Sequence, residues 1–262
     1  MNICFLTNRL TFHQLPLCLE LNSLCNFKMI ATSKLPEGGE NNYPDYSMHS
    51  NFLLLAYENE SNAQLAKKLC TECDVLIYGN IDNTYVSKRL KQNKLTFRYS
   101  ERIFKKKCPW YELLLRTLKY RYSFGRYSNY YLLCASAYTA PDYAKTGTFI
   151  NKAYKWGYFP EVIRYDNIGN TITSKKRNSI LWVARFLKLK HPDAAIEIAK
   201  RLKSEGIVFE LNMIGTGEMF DEISALIKEN ELEDSVHLLG FMSPEDVRLH
   251  MESSEIFMFT SD

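Results

Sequence analysis

No uninterrupted apolar run in the chain exceeds six residues, as at Phe52–Tyr57. A helix needs about 20 to cross a bilayer. The apolar start Ile3–Leu6 gives way at once to Thr7, Asn8 and Arg9, so neither a transmembrane helix nor a signal peptide is expected. Cysteine is odd in number and irregularly spaced. Its seven positions, Cys4, Cys18, Cys25, Cys70, Cys73, Cys108 and Cys134, follow no framework spacing, which disfavours a disulfide-stapled scaffold and fits thiols in a reducing cytoplasm. Cys70 and Cys73 form a C-x-x-C without a second pair or a nearby histidine, so buried thiols are expected there rather than zinc or redox chemistry. The five histidines are scattered. No H-E-x-x-H, G-x-S-x-G or Gly-Lys-Ser phosphate loop occurs.

Tyrosine and cysteine are also missing from one part of the chain, because all 17 tyrosines and all seven cysteines precede Lys175. The charge changes at the same point, from 22 basic and 14 acidic residues before Lys175 to 11 basic and 16 acidic from there on. With 262 residues, 46% of them hydrophobic and 24% charged, the chain is globular and long enough for two modest domains. These are expected at 1–174 and 175–262. Between Lys88 and Arg126 stand 13 Lys or Arg against only Glu101 and Glu112. Such a stretch is expected to face an anionic partner, the alternative being basic residues dispersed over solvated faces. No nucleic-acid-binding module accompanies it, so nucleic acid is not an expected partner.

Strand-like and helix-like segments alternate, the pattern of an α/β fold with parallel sheets. The first half reads as strands at Asn2–Thr7, Phe52–Tyr57, Asp74–Tyr78 and Leu95–Tyr99, with helices at Leu15–Leu24, Asn62–Cys73 and Asn83–Gln92. The second half reads as strands at Ser179–Ala184, Val208–Ile214, Val236–Leu239 and Ile256–Phe259. Helices are expected at Asp193–Ser204 and Glu218–Asn230, and from Pro244 to Met251, where Ser243 and Asp246 mark the start. In such sheets ligands bind at the carboxyl ends of the strands. Gly215 and Gly217 form a strand-to-helix turn there, although Phe220 stands where a dinucleotide fingerprint has its third glycine. A tight turn with no ligand is the plainer reading. Arg185 and Lys190 fall at the same edge, and two cations with a helix N-terminus suit a diphosphate.

Four segments in series carry a family resemblance: Val183–Lys190, Met213–Glu218, Leu238–Ser243 and Ile256–Ser261. Together they resemble the donor domain of family 4 (group 1) glycosyltransferases. The resemblance implies a GT-B architecture, two Rossmann-like domains facing across a cleft, the first holding an acceptor and the second a nucleotide-sugar. It also implies sugar transfer with retained anomeric configuration and without a metal or other cofactor. By the same resemblance Arg185 and Lys190 hold the donor diphosphate, with Gly215 and Gly217, and Gly240 and Phe241 lie where the base is contacted. The family's pair of donor-site glutamates does not appear before Asp262, so the second domain is expected to be incomplete and the chain truncated. The alternative function is then a non-catalytic remnant that binds a nucleotide or a membrane.

The first domain resembles the family more loosely. His13 and Gln14 lie in the loop after the first strand, where relatives line the acceptor side, and Lys155–Pro160 lies near the interdomain linker, as in bacterial polysaccharide glycosyltransferases. Ser100, Glu101 and Arg102 occupy the position of an acceptor-side histidine. Glu101 is thus the candidate catalytic residue, orienting or deprotonating the acceptor hydroxyl, the alternative being a surface ion pair with Arg102. Trp110, Leu113, Leu114, Leu115, Leu118 and Tyr120 can share one helix face, flanked by Lys105–Lys107, Arg116, Lys119 and Arg121. A basic helix with such a face can lie on an anionic membrane near a lipid-linked acceptor, and the competing reading is a core helix with solvated edges. The expected partners are a UDP- or GDP-sugar, a glycan or lipid-linked acceptor, and the inner membrane surface. Bacterial surface polysaccharide synthesis is the implied setting.

Overall fold

Side chains that alternate along a strand serve two opposite faces of its sheet, and the first strand, β1 (Asn2–Thr7), is apolar on both. Cys4 and Leu6 enter one buried cluster, while Ile3 and Phe5 enter another. A strand buried on both sides belongs in a parallel sheet covered by helices. The computed structural model, which describes residues 1–37, 43–79, 81–105 and 108–261, places β1 in the interior of such a sheet. The other strands are β2 (Asn26–Ala31), β3 (Leu53–Leu55), β4 (Val75–Tyr78), β5 (Thr96–Ser100), β6 (Tyr130–Cys134) and β7 (Ala153–Lys155). Among the described residues the order is β3-β2-β1-β4-β5-β6-β7, and every pairing is parallel. Helices α1 (Leu15–Leu24), α2 (Glu60–Glu72), α3 (Ser87–Lys91), α4 (Trp110–Tyr120) and α5 (Thr139–Ala144) connect the strands.

The strand order reverses between β1 and β4, and this switch point opens a crevice outside their carboxyl ends. Gly79 follows β4 there, and a Cβ on it would come within 3.2 Å of the Tyr99 ring. Away from the crevice, Arg89 fastens the sheet to its helices. Its fully buried guanidinium donates to the carbonyls of Cys70, Cys73, Asp74 and Leu95 and to Thr96 Oγ1. Arg89 is therefore a structural residue, although the sequence counts it within the basic stretch. Cys70 and Cys73 are both buried beside it.

The chain divides into two compact units, Met1–Val162 and Ile163 onward. The second unit begins before the compositional change at Lys175 and takes in α6 (Ile168–Thr173). It continues with β8 (Lys176–Val183), α7 (Pro192–Ser204), β9 (Glu210–Ile214), α8 (Phe220–Glu229), β10 (Val236–Gly240), α9 (Pro244–Ser253) and β11 (Ser254–Met258). These strands form a parallel sheet in the order β10-β9-β8-β11, so its switch point lies between β8 and β11. Trp182, Phe186, Ile196, Met213 and Ile223 are in its core. The start of α9 is fixed by Ser243, whose Oγ accepts from the Asp246 amide at 3.1 Å and donates to the Asp246 carboxylate at 2.7 Å.

Candidate functional site

In the second unit the residues expected to meet a diphosphate gather at the carboxyl edge of the sheet. Arg185 follows β8 and is exposed, and its side chain has no hydrogen bond or ion pair among the described residues. Lys190 ends a short turn before α7 and donates from Nζ to Ser261 Oγ at 3.1 Å, with the ammonium 5.6 Å from the centre of the Phe259 ring. The segment after β11 is pinned beside it, because Thr260 Oγ1 donates to the Lys190 carbonyl at 2.6 Å and accepts from Trp182 Nε1 at 2.9 Å. Both cations thus lie at the β8/β11 switch point, where a sheet of this kind receives ligands. Asp262 lies outside the described residues.

Gly215 and Gly217 have a structural task that the sequence does not reveal. Their φ angles are +134° and +156°, and a Cβ would lie 2.0 Å from the Ala184 carbonyl oxygen and 2.6 Å from that of Phe186. The Phe186 amide donates to Thr216 O at 2.9 Å, and the Met219 amide donates back to Phe186 O at 3.0 Å. The two glycines therefore let the turn close against the Arg185 loop and fix that loop's position. The Gly215 amide donates to Gly240 O at 2.7 Å, which fastens the turn to the end of β10, and the next residue, Phe241, is exposed. The helix expected from Glu218 begins at Phe220.

The first unit brings its candidates together as well. His13 and Gln14 stand in the loop after β1, and Glu101 follows β5. Gln14 Oε1 accepts from Thr11 Oγ1 at 3.0 Å, and His13 Nε2 lies 3.1 Å from the same hydroxyl. The His13 ring meets Tyr158 edge-on at 4.4 Å, and Tyr158 Oη donates to the Glu101 carboxylate. Burial holds the His13 pKa below its ordinary value, against the opposing pull of the Glu101 charge, and so favours the neutral imidazole. Hydrogen bonds from Lys105 and then Tyr158 lower the Glu101 pKa, which makes this carboxylate a hydrogen-bond acceptor better suited to orienting a hydroxyl than to taking its proton. The Glu101–Arg102 pair of the alternative reading does not form among the described residues. Glu101 pairs with Lys105 at 2.7 Å, and Arg102 pairs with the buried Asp142 at 3.3 Å. Tyr158 is the site residue that residue-by-residue reasoning passes over, for it is distant in sequence and signalled only by its place in Lys155–Pro160.

Helix α4 differs from expectation in how its faces divide. Leu113 and Tyr120 turn inward, where Tyr120 packs against the buried cluster. Trp110, Leu114, Leu115 and Leu118 are exposed, joined by Tyr111 and Tyr122, and Trp110 is 78% exposed. No residue of α4 is fully buried, so the helix lies at the surface of its unit with one edge against the core. Arg116 ties the helix to the preceding loop by donating to the Ile103 carbonyl at 3.1 Å. Of the flanking basic run, Lys106 and Lys107 lie outside the described residues.

Comparison with known proteins places this architecture. Residues 166–262 match the family model described as glycosyl transferases group 1. Over 82 residues the chain is 35% identical to the amylovoran biosynthesis glycosyltransferase AmsK of Erwinia amylovora, and 30% identical to the putative colanic acid biosynthesis glycosyltransferase WcaL of Escherichia coli K12. Each match covers 31% of this chain but only 20% of the relative. Among solved structures, Anabaena HepE in complex with UDP matches with a TM-score of 0.66 at 11% identity. The lipopolysaccharide outer core galactosyltransferase WaaB matches with a TM-score of 0.62 at 16% identity. Both alignments cover all of this chain and 74% of the other. The chain therefore has the α/β fold of the GT-B glycosyltransferases, and its similarity in sequence to glycosyl transferases group 1 lies in the segment that carries Arg185 and Lys190.

Proposed function

We propose that the chain is a glycosyltransferase of family 4 that moves a sugar, a hexose or a close relative, from a UDP- or GDP-sugar to a glycan or lipid-linked acceptor with retention of configuration. The observation that carries this reading is the placement of Arg185 and Lys190 at the β8/β11 switch point, inside the segment matched by the group 1 model. Two cations there stabilise the negative charge that develops on the leaving nucleotide as the glycosidic bond breaks. They take the part that a divalent ion plays elsewhere, so transfer needs no metal. The first unit supplies the acceptor side, where Glu101, held as a carboxylate by Lys105 and Tyr158, accepts a hydrogen bond from the acceptor hydroxyl and orients it. The polysaccharide roles in the names of AmsK and WcaL favour bacterial surface polysaccharide synthesis as the setting. The exposed apolar side of α4 supports work at the inner face of the membrane.

Calorimetric titration of the folded chain with UDP and with GDP tests the donor site. One nucleotide is expected to bind, about 10-fold or more weakly in Arg185→Ala and in Lys190→Ala, and equally well with or without EDTA. Failure of the folded wild type to bind either nucleotide, or binding indifferent to both substitutions, would remove the donor assignment.

A further inference from the structure

Two half-buried or buried arginines of the first unit behave in opposite ways. Arg89 engages all three nitrogens of its guanidinium with protein acceptors. Arg98, on β5, uses only Nε, which donates to Tyr143 Oη at 3.3 Å. Its guanidinium carbon lies 5.7 Å from the centre of the Tyr78 ring and 5.1 Å from that of Phe124. It has no ion pair, and neither Nη group has a hydrogen bond among the described residues. A guanidinium withdrawn from water in this way is costly unless something acidic completes its hydrogen bonds.

Arg98 lines a cavity of about 410 Å³ at the carboxyl end of β5, shared with Ser100, Glu101, Arg102, Lys105 and Tyr143. That volume falls among the roughly 300–1,000 Å³ of small-molecule sites. Among the described residues three cations face one carboxylate in the lining, an excess of two positive charges. Including Asp142, which pairs with Arg102, and Lys145, which pairs with Asp142, leaves the excess unchanged. A single carboxylate would leave one charge over, whereas a diphosphate diester carries two negative charges and offers oxygens for a guanidinium fork. A second cavity shares Arg102 and Lys105 and runs to Cys108, Glu112 and Arg116 at the start of α4. The cationic pocket thus shares lining residues with a cavity at the start of the helix whose other side is exposed and apolar.

We propose that the Arg98–Arg102–Lys105 cavity binds the phosphate or diphosphate group of the acceptor, which makes the acceptor substrate a phosphate-bearing glycan carrier. This rests on reading the first unit as the acceptor side, and the residues assigned to the donor belong to the second unit. The phosphate oxygens take the unspent Nη donors of Arg98 and the charge of Lys105, and the sugar hydroxyl attached to that group lies within reach of the neighbouring Glu101.

The test is calorimetric titration of the full chain with inorganic pyrophosphate at low salt, in an Arg185→Ala/Lys190→Ala background so that the donor site does not contribute. Pyrophosphate is expected to bind, and to bind about 10-fold more weakly in Arg98→Gln and about 5-fold more weakly in Lys105→Glu. Lys105 is 69% exposed, so its substitution leaves the fold intact even if Arg98→Gln does not. A second arm compares phosphatidylcholine vesicles carrying a polyisoprenyl diphosphate with plain vesicles and with free pyrophosphate. Tighter binding to the diphosphate vesicles assigns the group to a lipid carrier, and equal affinity for free pyrophosphate assigns it to a soluble one. Absence of pyrophosphate binding in both arms, or binding unchanged by Lys105→Glu, overturns the proposal. UDP binding to the wild type is read separately, so a failed donor site and a failed phosphate pocket give different results.

Discussion

At the scale of single residues, the sequence indicates which side chains are present but not which of them are committed elsewhere. Gly215 and Gly217 show this for the backbone, since their spacing suits a phosphate turn, yet each is required by a carbonyl oxygen of the Arg185 loop. Gly215→Ala and Gly217→Ala are therefore expected to destabilise the second unit by about 2–4 kcal/mol through strain at positive φ and contact with that loop. Nucleotide affinity should fall with them although neither residue has a side chain to contact the ligand. Denaturant unfolding followed by UDP titration of each variant checks this, and an alanine variant of wild-type stability would refute the packing role. Charge counting has the same blind spot. Arg89, Arg98 and Arg102 are equal members of one basic stretch in the sequence, but the fold buries the first as a staple, leaves the second with unspent donors, and pairs the third with Asp142. The places of Arg185 and Lys190 at the carboxyl edge of their sheet were legible from the strand ends, whereas the partners of Glu101 depended on contacts as distant as Tyr158.

At the scale of elements, strong local periodicity was readable and weak periodicity was not. The strand β1 and helix α7 stand close to where the pattern of apolar residues puts them, while β2, β6 and β7 have no equally clear signal. The expected helix Asn83–Gln92 divides into a short turn and α3, with buried Val86 at the break. Helix α4 was readable as a helix, but its apolar residues occupy two directions that the sequence does not separate. The exposed set is expected to bind membranes and to contribute little to folding. Replacing Leu114 and Leu118 together by Gln should change stability by no more than about 0.5 kcal/mol per site and should abolish most binding to vesicles containing anionic lipid. Tyr120→Ala should do the reverse, lowering stability while sparing vesicle binding. Flotation with anionic and zwitterionic vesicles at low and high salt, beside thermal melts, distinguishes the two classes. Retained flotation in the double Gln variant would show that this side of α4 is not the contact.

At the scale of the whole molecule, what the sequence made legible was the alternation of strand and helix, and with it the two parallel sheets. The order of strands was not legible, because parallel pairing joins segments far apart in the chain, and it is the order that creates a switch point in each sheet. The division into two units is also a statement about energetics, since each has its own hydrophobic cluster: Trp182, Phe186 and Met213 in the second, and the two faces of the β1 sheet in the first. Units with separate cores need not unfold as one. A ligand that binds only the native form of one unit raises the stability of that unit, by about 2.7 kcal/mol at a concentration 100 times its Kd. Differential scanning calorimetry should accordingly resolve two transitions, of which the preferred nucleotide shifts the one belonging to the second unit. The shift should vanish in Arg185→Ala, and pyrophosphate should move the other transition in a manner lost in Lys105→Glu. A single transition displaced as a whole by the nucleotide would mean that the units fold as one cooperative body, and the two ligands would then be coupled through folding even though their residues belong to different sheets.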